Sequence, residues 1–201
     1  MLNLMEVSET NSMIEQEQLD VRTITMGINL LDCACENLQD VCNKVEEKIT
    51  RLAKDLVKTG NDISRDYGIP IVNKRITVTP ISLVGASSCK KPEDFVQIAH
   101  ALDRAAHTVG VDLIGGYSAL PAKSMTAADR MLIESLPQAL SETEIVCSSV
   151  NVGSTRTGID MDCVELLGRT IKKIAEATAG NDSYGCVKFV ALDRKSTRLN
   201  S

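Results

Sequence analysis

The chain has 201 residues, enough for one good-sized domain or two small ones. Its 43% hydrophobic and 24% charged residues are an ordinary globular balance that excludes wholesale disorder. A net charge of −5 disfavours nucleic acid and anionic membrane surfaces, which need a basic face, and 2% aromatic residues with no tryptophan leave little for a base-stacking platform. No apolar run reaches the roughly 18 residues of a membrane-spanning helix, the polar Met1–Asp20 stretch is unlike a secretory signal, and seven scattered cysteines read as reduced thiols of a cytoplasmic protein.

After the polar lead, Val21–Leu31 is β-branched and apolar and predicts a strand. From Leu38 to Tyr67, Val41, Val45, Ile49, Leu52, Leu56 and Ile63 recur at helical spacing, and Gly68 and Pro70 end the helix. A second strand over Arg75–Leu83 carries Pro80, which marks it as irregular or an edge. Lys91-Pro92-Glu93-Asp94 opens a helix that stops at Gly110. Val111–Tyr117 predicts the third strand, and Thr126 with Asp129 makes a capping-box-like start to a helix reaching Leu136. Ile145–Val152 predicts the fourth strand, Asp160–Ala177 a helix and Cys186–Leu192 the fifth strand. Strands alternating with helices imply an α/β fold of five parallel strands joined by right-handed crossovers.

Ligands of parallel α/β sheets meet the carboxyl ends of the strands. Those ends supply Asp32 and Cys33 after the first strand, and Thr79 and Ser82 after the second, with Asn73, Lys74 and Arg75 at its start. The third contributes Gly115, Gly116 and Ser118, and the fourth Cys147, Ser148, Ser149 and Asn151. Next comes Gly153-Ser154-Thr155-Arg156-Thr157-Gly158, a strand-to-helix loop in which an anion cradle of backbone amides, helix N-terminus and Arg156 is weighed against an ordinary connection that uses glycine for turning. It has the spacing of a phosphate loop, but Ile159 and Asp160 stand where the Lys and Ser/Thr would follow, which argues against an NTPase. Cys147 is a candidate nucleophile, weighed against a small buried core cysteine.

His100, Asp103 and His107 share a helix face, where zinc is weighed against a solvated polar face, and the latter is preferred. Cys33, Cys35 and Cys42 lack a second pair at zinc-site spacing, so no metal is expected. No Gly-x-Gly-x-x-Gly or Gly-x-Ser-x-Gly follows a strand, so the cofactor stays open.

The stretches Asp20–Cys33 (DVRTITMGINLLDC), Gly68–Ala86 (GIPIVNKRITVTPISLVGA), Gly110–Leu120 (GVDLIGGYSAL) and Val146–Ile159 (VCSSVNVGSTRTGI) closely resemble the "PFL family protein" group, a bacterial and archaeal family of unknown function. The resemblance implies a fold like that of pyruvate formate-lyase, a ten-stranded α/β barrel of two five-stranded parallel halves, in a cytoplasmic homodimer. It assigns no reaction, and Cys147 matches no radical-cysteine motif. On this reading residues 1–19 are a polar lead, 20–192 one half-barrel, and 193–201 a non-native tail after which the chain is truncated. A lone half-barrel is expected to associate or precipitate.

Two functions follow as expectations. One is an enzyme acting on a small anionic metabolite, with Ser154, Thr155 and Arg156 holding the anion, Lys74 and Arg75 adding charge, and Asp32 or Cys147 doing proton or nucleophile work. The other is a non-catalytic metabolite-binding or regulatory protein on the same scaffold. Neither uses a nucleic acid or a membrane.

Overall fold

The computed structural model describes residues 22–121, 124–155 and 157–194, so the expected lead (1–19), Arg156 and residues 195–201 of the expected tail lie outside the described residues. Six strands make one sheet: β1 (Thr23–Ile28), β2 (Asn73–Val78), β3 (Leu113–Ala119), β4 (Val146–Ser154), β5 (Gly158–Ile159) and β6 (Phe189–Arg194). β1, β2, β3 and β4 lie side by side in chain order, β6 follows on β4, and all five are parallel. The α/β fold of parallel strands alternating with helices is therefore as the sequence predicts.

Between the strands run α1 (Leu38–Ala53), α2 (Leu56–Tyr67), the single turn α3 (Ile81–Val84), α4 (Pro92–Val109), α5 (Ala127–Glu142) and α6 (Met161–Ala177). Right-handed crossovers between strands taken in order put every helix on one side of the sheet, and α1 packs on α4, α4 on α5, and α5 on α6. Alternation along the strands sends Ile28, Ile76, Val78, Ile114, Val146 and Val150 into this layer, where all are buried. The other face, in β1 to β4, carries small and polar side chains apart from Leu113. Among the described residues no helix is long and apolar enough to cross a membrane.

Several boundaries differ from the sequence reading, each for a local reason. The long first helix is two. The second, α2, lies close on the sheet at Gly60, where a Cβ would meet Ile24 Cδ1 at 2.8 Å. Pro80 is not inside β2 but N-caps α3, a place that needs no N–H from it. α5 continues past Pro137 to Glu142 because Ala139 and Leu140 are buried.

Gly116 adds one residue to β3, a bulge between Gly115 and Tyr117. Its φ is +113°, and a Cβ there would lie 2.5 Å from the Val78 carbonyl oxygen, so only glycine fits. The extra residue turns Tyr117 into the helix layer and Ser118 onto the open face.

Candidate functional site

On the open face, register places Gly27, Thr77, Gly115 and Cys147 in one row across β1 to β4. The row below holds Thr25, Arg75 and Leu113, and the row above holds Ser118 beside Ser149. Strands about 4.8 Å apart, with same-face residues about 6.6 Å apart along each, make this a shallow well. Gly115 is its floor, Thr77 and Cys147 its walls, Arg75 its lower end and the two serines its upper end.

Neither Gly27 nor Gly115 has positive φ. A Cβ on Gly115 would meet nothing nearer than Thr77 Oγ1 at 3.9 Å, and one on Gly27 nothing nearer than Thr77 Cγ2 at 3.9 Å. Backbone conformation and packing therefore do not require either glycine, although each costs a strand about 0.5–1 kcal/mol relative to alanine. Glycine inside a strand often marks a bulge or the close approach of a ligand or another backbone; Gly27 lies in unbroken pairing, and Gly115 borders the bulge at Gly116 with open space over its Cα.

Arg75 is the one charged residue among the described open-face positions of β1 to β4. Its Nε is buried with no hydrogen-bond partner. The Ser118 and Ser149 hydroxyls bond each other at 2.9 Å, which leaves lone pairs and one proton for a ligand. Burial pushes the half-buried Cys147 thiol above its ordinary pKa, and the charges of Lys188 and Arg75 oppose that shift. Cys147 is thus a neutral thiol at pH 7, a proton donor more than a nucleophile.

Other expected site residues lie elsewhere. Asp32 stands in the 3-10 turn Leu31–Cys33 and is ion-paired with Lys48 of α1, whose hydrogen bond holds the carboxyl below its usual pKa. This places it with the helix layer, apart from Cys147. Lys74 lies against Gly60 of α2. Ser148 points into the helix layer in register with Tyr117 and Phe189, 4% exposed, with Oγ unpartnered. Ser82 is buried in α3, its Oγ also unpartnered. Asn151, with its amide turned to donate, bonds the carbonyls of Gly153 at 2.7 Å and Leu192 at 3.1 Å, stitching β4 to β6. At the rim, Thr79 Oγ1 accepts from the Leu30 N–H at 3.1 Å and donates to Asn29 Oδ1 at 3.1 Å.

The Gly153–Gly158 segment is a β-hairpin, not a strand-to-helix cradle. Gly153 pairs with Ile159 and Ser154 with Gly158. A Cβ on Gly153 would lie 2.8 Å from the Gly158 carbonyl oxygen, so this glycine serves the close pairing of β4 and β5. Ser154 Oγ bonds Thr157 Oγ1 at 2.8 Å, and Thr155 lies in the turn. The N-terminus of α6 is taken by Asp160, whose carboxylate accepts from the Cys163 N–H at 3.0 Å.

His100 pairs with Glu142 at 2.9 Å, and His107 with Glu144 at 3.3 Å and Asp103 at 3.6 Å. Asp103 also accepts from the Glu144 and Ile145 N–H groups at 3.1 Å each. These contacts tie α4 to the end of α5. Among the described residues no group of three or more His, Cys, Asp or Glu side chains is arranged to hold a metal.

Thr25, Gly27 and Thr77 escaped the sequence reading, which collected strand ends, whereas these sit within strands. The signal was present as period-2 alternation: Thr23, Thr25 and Gly27 interleave with Ile24, Met26 and Ile28, and Asn73, Arg75 and Thr77 with Lys74, Ile76 and Val78.

Relatives match this sequence over most of its length. A "UPF0210 protein" of Bifidobacterium adolescentis is 77% identical over 192 residues, one of Lachnospira eligens 64% and one of Methanospirillum hungatei 60%, each covering 96% of this chain. The chain spans 42% of the length of each of these relatives. A family model matches residues 12–196, and the chain belongs to that family, described as Uncharacterised ACR (DUF711).

Proposed function

We propose that the open face binds a small monoanionic metabolite over Gly115. The Arg75 guanidinium holds the anion, Thr77 and the Ser118–Ser149 pair add hydrogen bonds, and Cys147 stands beside the bound molecule. The observation that carries this reading is the conjunction of Gly115, a glycine that neither backbone nor packing requires, with Arg75, whose buried Nε lacks a partner. A single cation facing neutral hydroxyls matches one negative charge better than a polyphosphate.

Binding is the function this geometry supports best. Catalysis is a second reading, favoured by the Cys147 thiol on the wall of the well: as a neutral group it would deliver a proton to the ligand. Asp32 has no part in either. Ser154 and Thr157 of the Gly153–Gly158 hairpin stand at the carboxyl end of β4, beyond the Ser118–Ser149 end of the well.

In longer relatives the open face would be a lumen, as a pyruvate formate-lyase-like barrel implies. The in-order parallel strands, helices on one side only, and exposed Val190 and Leu192 on β6 support that reading. A cytoplasmic homodimer belongs to the same proposal, and seven free cysteines are in keeping with a reducing compartment.

Calorimetric titration of the full-length protein with acetate, glycolate and inorganic phosphate tests the site. Arg75→Ala is expected to weaken the best of these at least tenfold. Gly115→Val should abolish binding without lowering thermal stability. Affinities unchanged in both variants would overturn the proposal.

A further inference from the structure

A cavity of about 520 Å³ lies at the opposite end of the strands from the hairpin, between the last turns of α5 and α6 and the 3-10 segment Tyr184–Lys188. Lys188 lines it and is only 6% exposed. Its ammonium donates to the carbonyls of Leu140 and Thr143 at the end of α5. An ammonium has three N–H donors, and the third has no acceptor among the described residues.

Burying a cation without a full set of partners is costly. The carboxylates acting on Lys188 are Asp103 and Glu144, yet burial still holds its pKa below the ordinary lysine value. Asp103 is committed to two backbone N–H groups, and Glu144, at the cavity wall, to His107 at 3.3 Å.

Two more donors line the same cavity: the Asn181 side-chain amide and the Tyr184 hydroxyl, neither with a hydrogen-bond partner among the described residues. Between them Asp182 and Ser183 both adopt left-handed backbone, φ 51° and 58°, a conformation that non-glycine residues hold only where their surroundings impose it. The Ser183 N–H donates to the Thr178 carbonyl at 3.0 Å and its hydroxyl to the Ala175 carbonyl at 3.1 Å, and these bonds fix the turn.

We propose that this cavity is a second ligand site, which takes an oxyanion group (carboxylate or phosphate) on the free N–H of Lys188, with Asn181 and Tyr184 as the flanking donors. It shares no residue with the well over Gly115 and does not rest on that reading.

Thermal unfolding of the full-length protein in sodium phosphate or sodium acetate, against sodium chloride at equal ionic strength, tests it. Lys188→Met removes the donor to two helix-end carbonyls and can fail to fold, so the test rests on the double variant Asn181→Ala/Tyr184→Phe, with Arg75→Ala as a control. At saturation one or both anions should raise the melting temperature by about 3 °C or more. Part of that rise should persist in Arg75→Ala, which removes the contribution of the well over Gly115, and in that background the double substitution should cut the remainder by at least half. A response to phosphate alone assigns a phosphorylated ligand, and one to acetate alone a carboxylate. No rise with either anion, a remainder that the double substitution leaves in place, or a rise lost entirely in Arg75→Ala would each overturn the proposal, the last by assigning the anion to the well.

Discussion

The Tyr117 hydroxyl lies 2.6 Å from Ser135 Oγ, joining β3 to α5 inside the core, and Ser135 in turn donates to the Leu132 carbonyl at 2.6 Å. Tyr117 is fully buried, and burial drives its phenol far above the ordinary tyrosine pKa. The pair is therefore a neutral hydrogen bond at any pH the fold survives. Tyr117→Phe keeps the ring and its packing and leaves Ser135 its carbonyl partner, so we expect a loss of about 1 kcal/mol in urea unfolding. A loss above about 3 kcal/mol would show that the hydroxyl supports more than this one bond.

Tyr117 points into the core because of Gly116, and that dependence explains which parts of the site were legible in the sequence. Helix ends were plain. Gly68 and Gly110 close their helices at φ 69° and 79°, and Thr126 with Asp129 forms the reciprocal cap that its spacing suggests. The order of strands and helices followed from hydrophobic runs alone. The facing of individual strand residues did not, because the bulge shifts period-2 alternation by one residue between Gly115 and Tyr117. Tyr117 and Ser118 are each turned to the face opposite the one that unbroken alternation from Ile114 would give them. The Gly153–Gly158 spacing suits a phosphate loop and a hairpin equally, and the pairing of Gly153 with Ile159 decides between them.

The two adjacent glycines of β3 should respond oppositely to alanine. At Gly116 a Cβ would sit 2.5 Å from the Val78 carbonyl oxygen with φ at +113°, so Gly116→Ala must shift backbone. We expect a cost of more than about 2 kcal/mol, read as a lower midpoint in urea unfolding. At Gly115 the added carbon has 3.9 Å of clearance and ordinary φ, and Gly115→Ala should be neutral or stabilising by up to about 1 kcal/mol through the unfolded chain. Equal destabilisation by both would mean that Gly115 is a packing residue, and the well would lose its main support.

Cys147 offers a chemical reading of the same well. Alkylation requires the thiolate, and burial holds this thiol above its ordinary pKa, with Lys188 and Arg75 opposing the shift. Its iodoacetamide rate should therefore keep rising at pH values where an unhindered thiol has levelled off, as followed by mass spectrometry of the Cys147 peptide. Arg75→Ala removes one of the two cations that favour the thiolate, so it should slow alkylation at a fixed pH near 8 and move the profile further to alkaline pH. Opening space beside the thiol works in the opposite direction, by speeding access at all pH values without moving the profile. A profile that stays in place while the rate rises would therefore show that Arg75 acts on Cys147 by bulk alone, and that its charge is directed elsewhere than into the well.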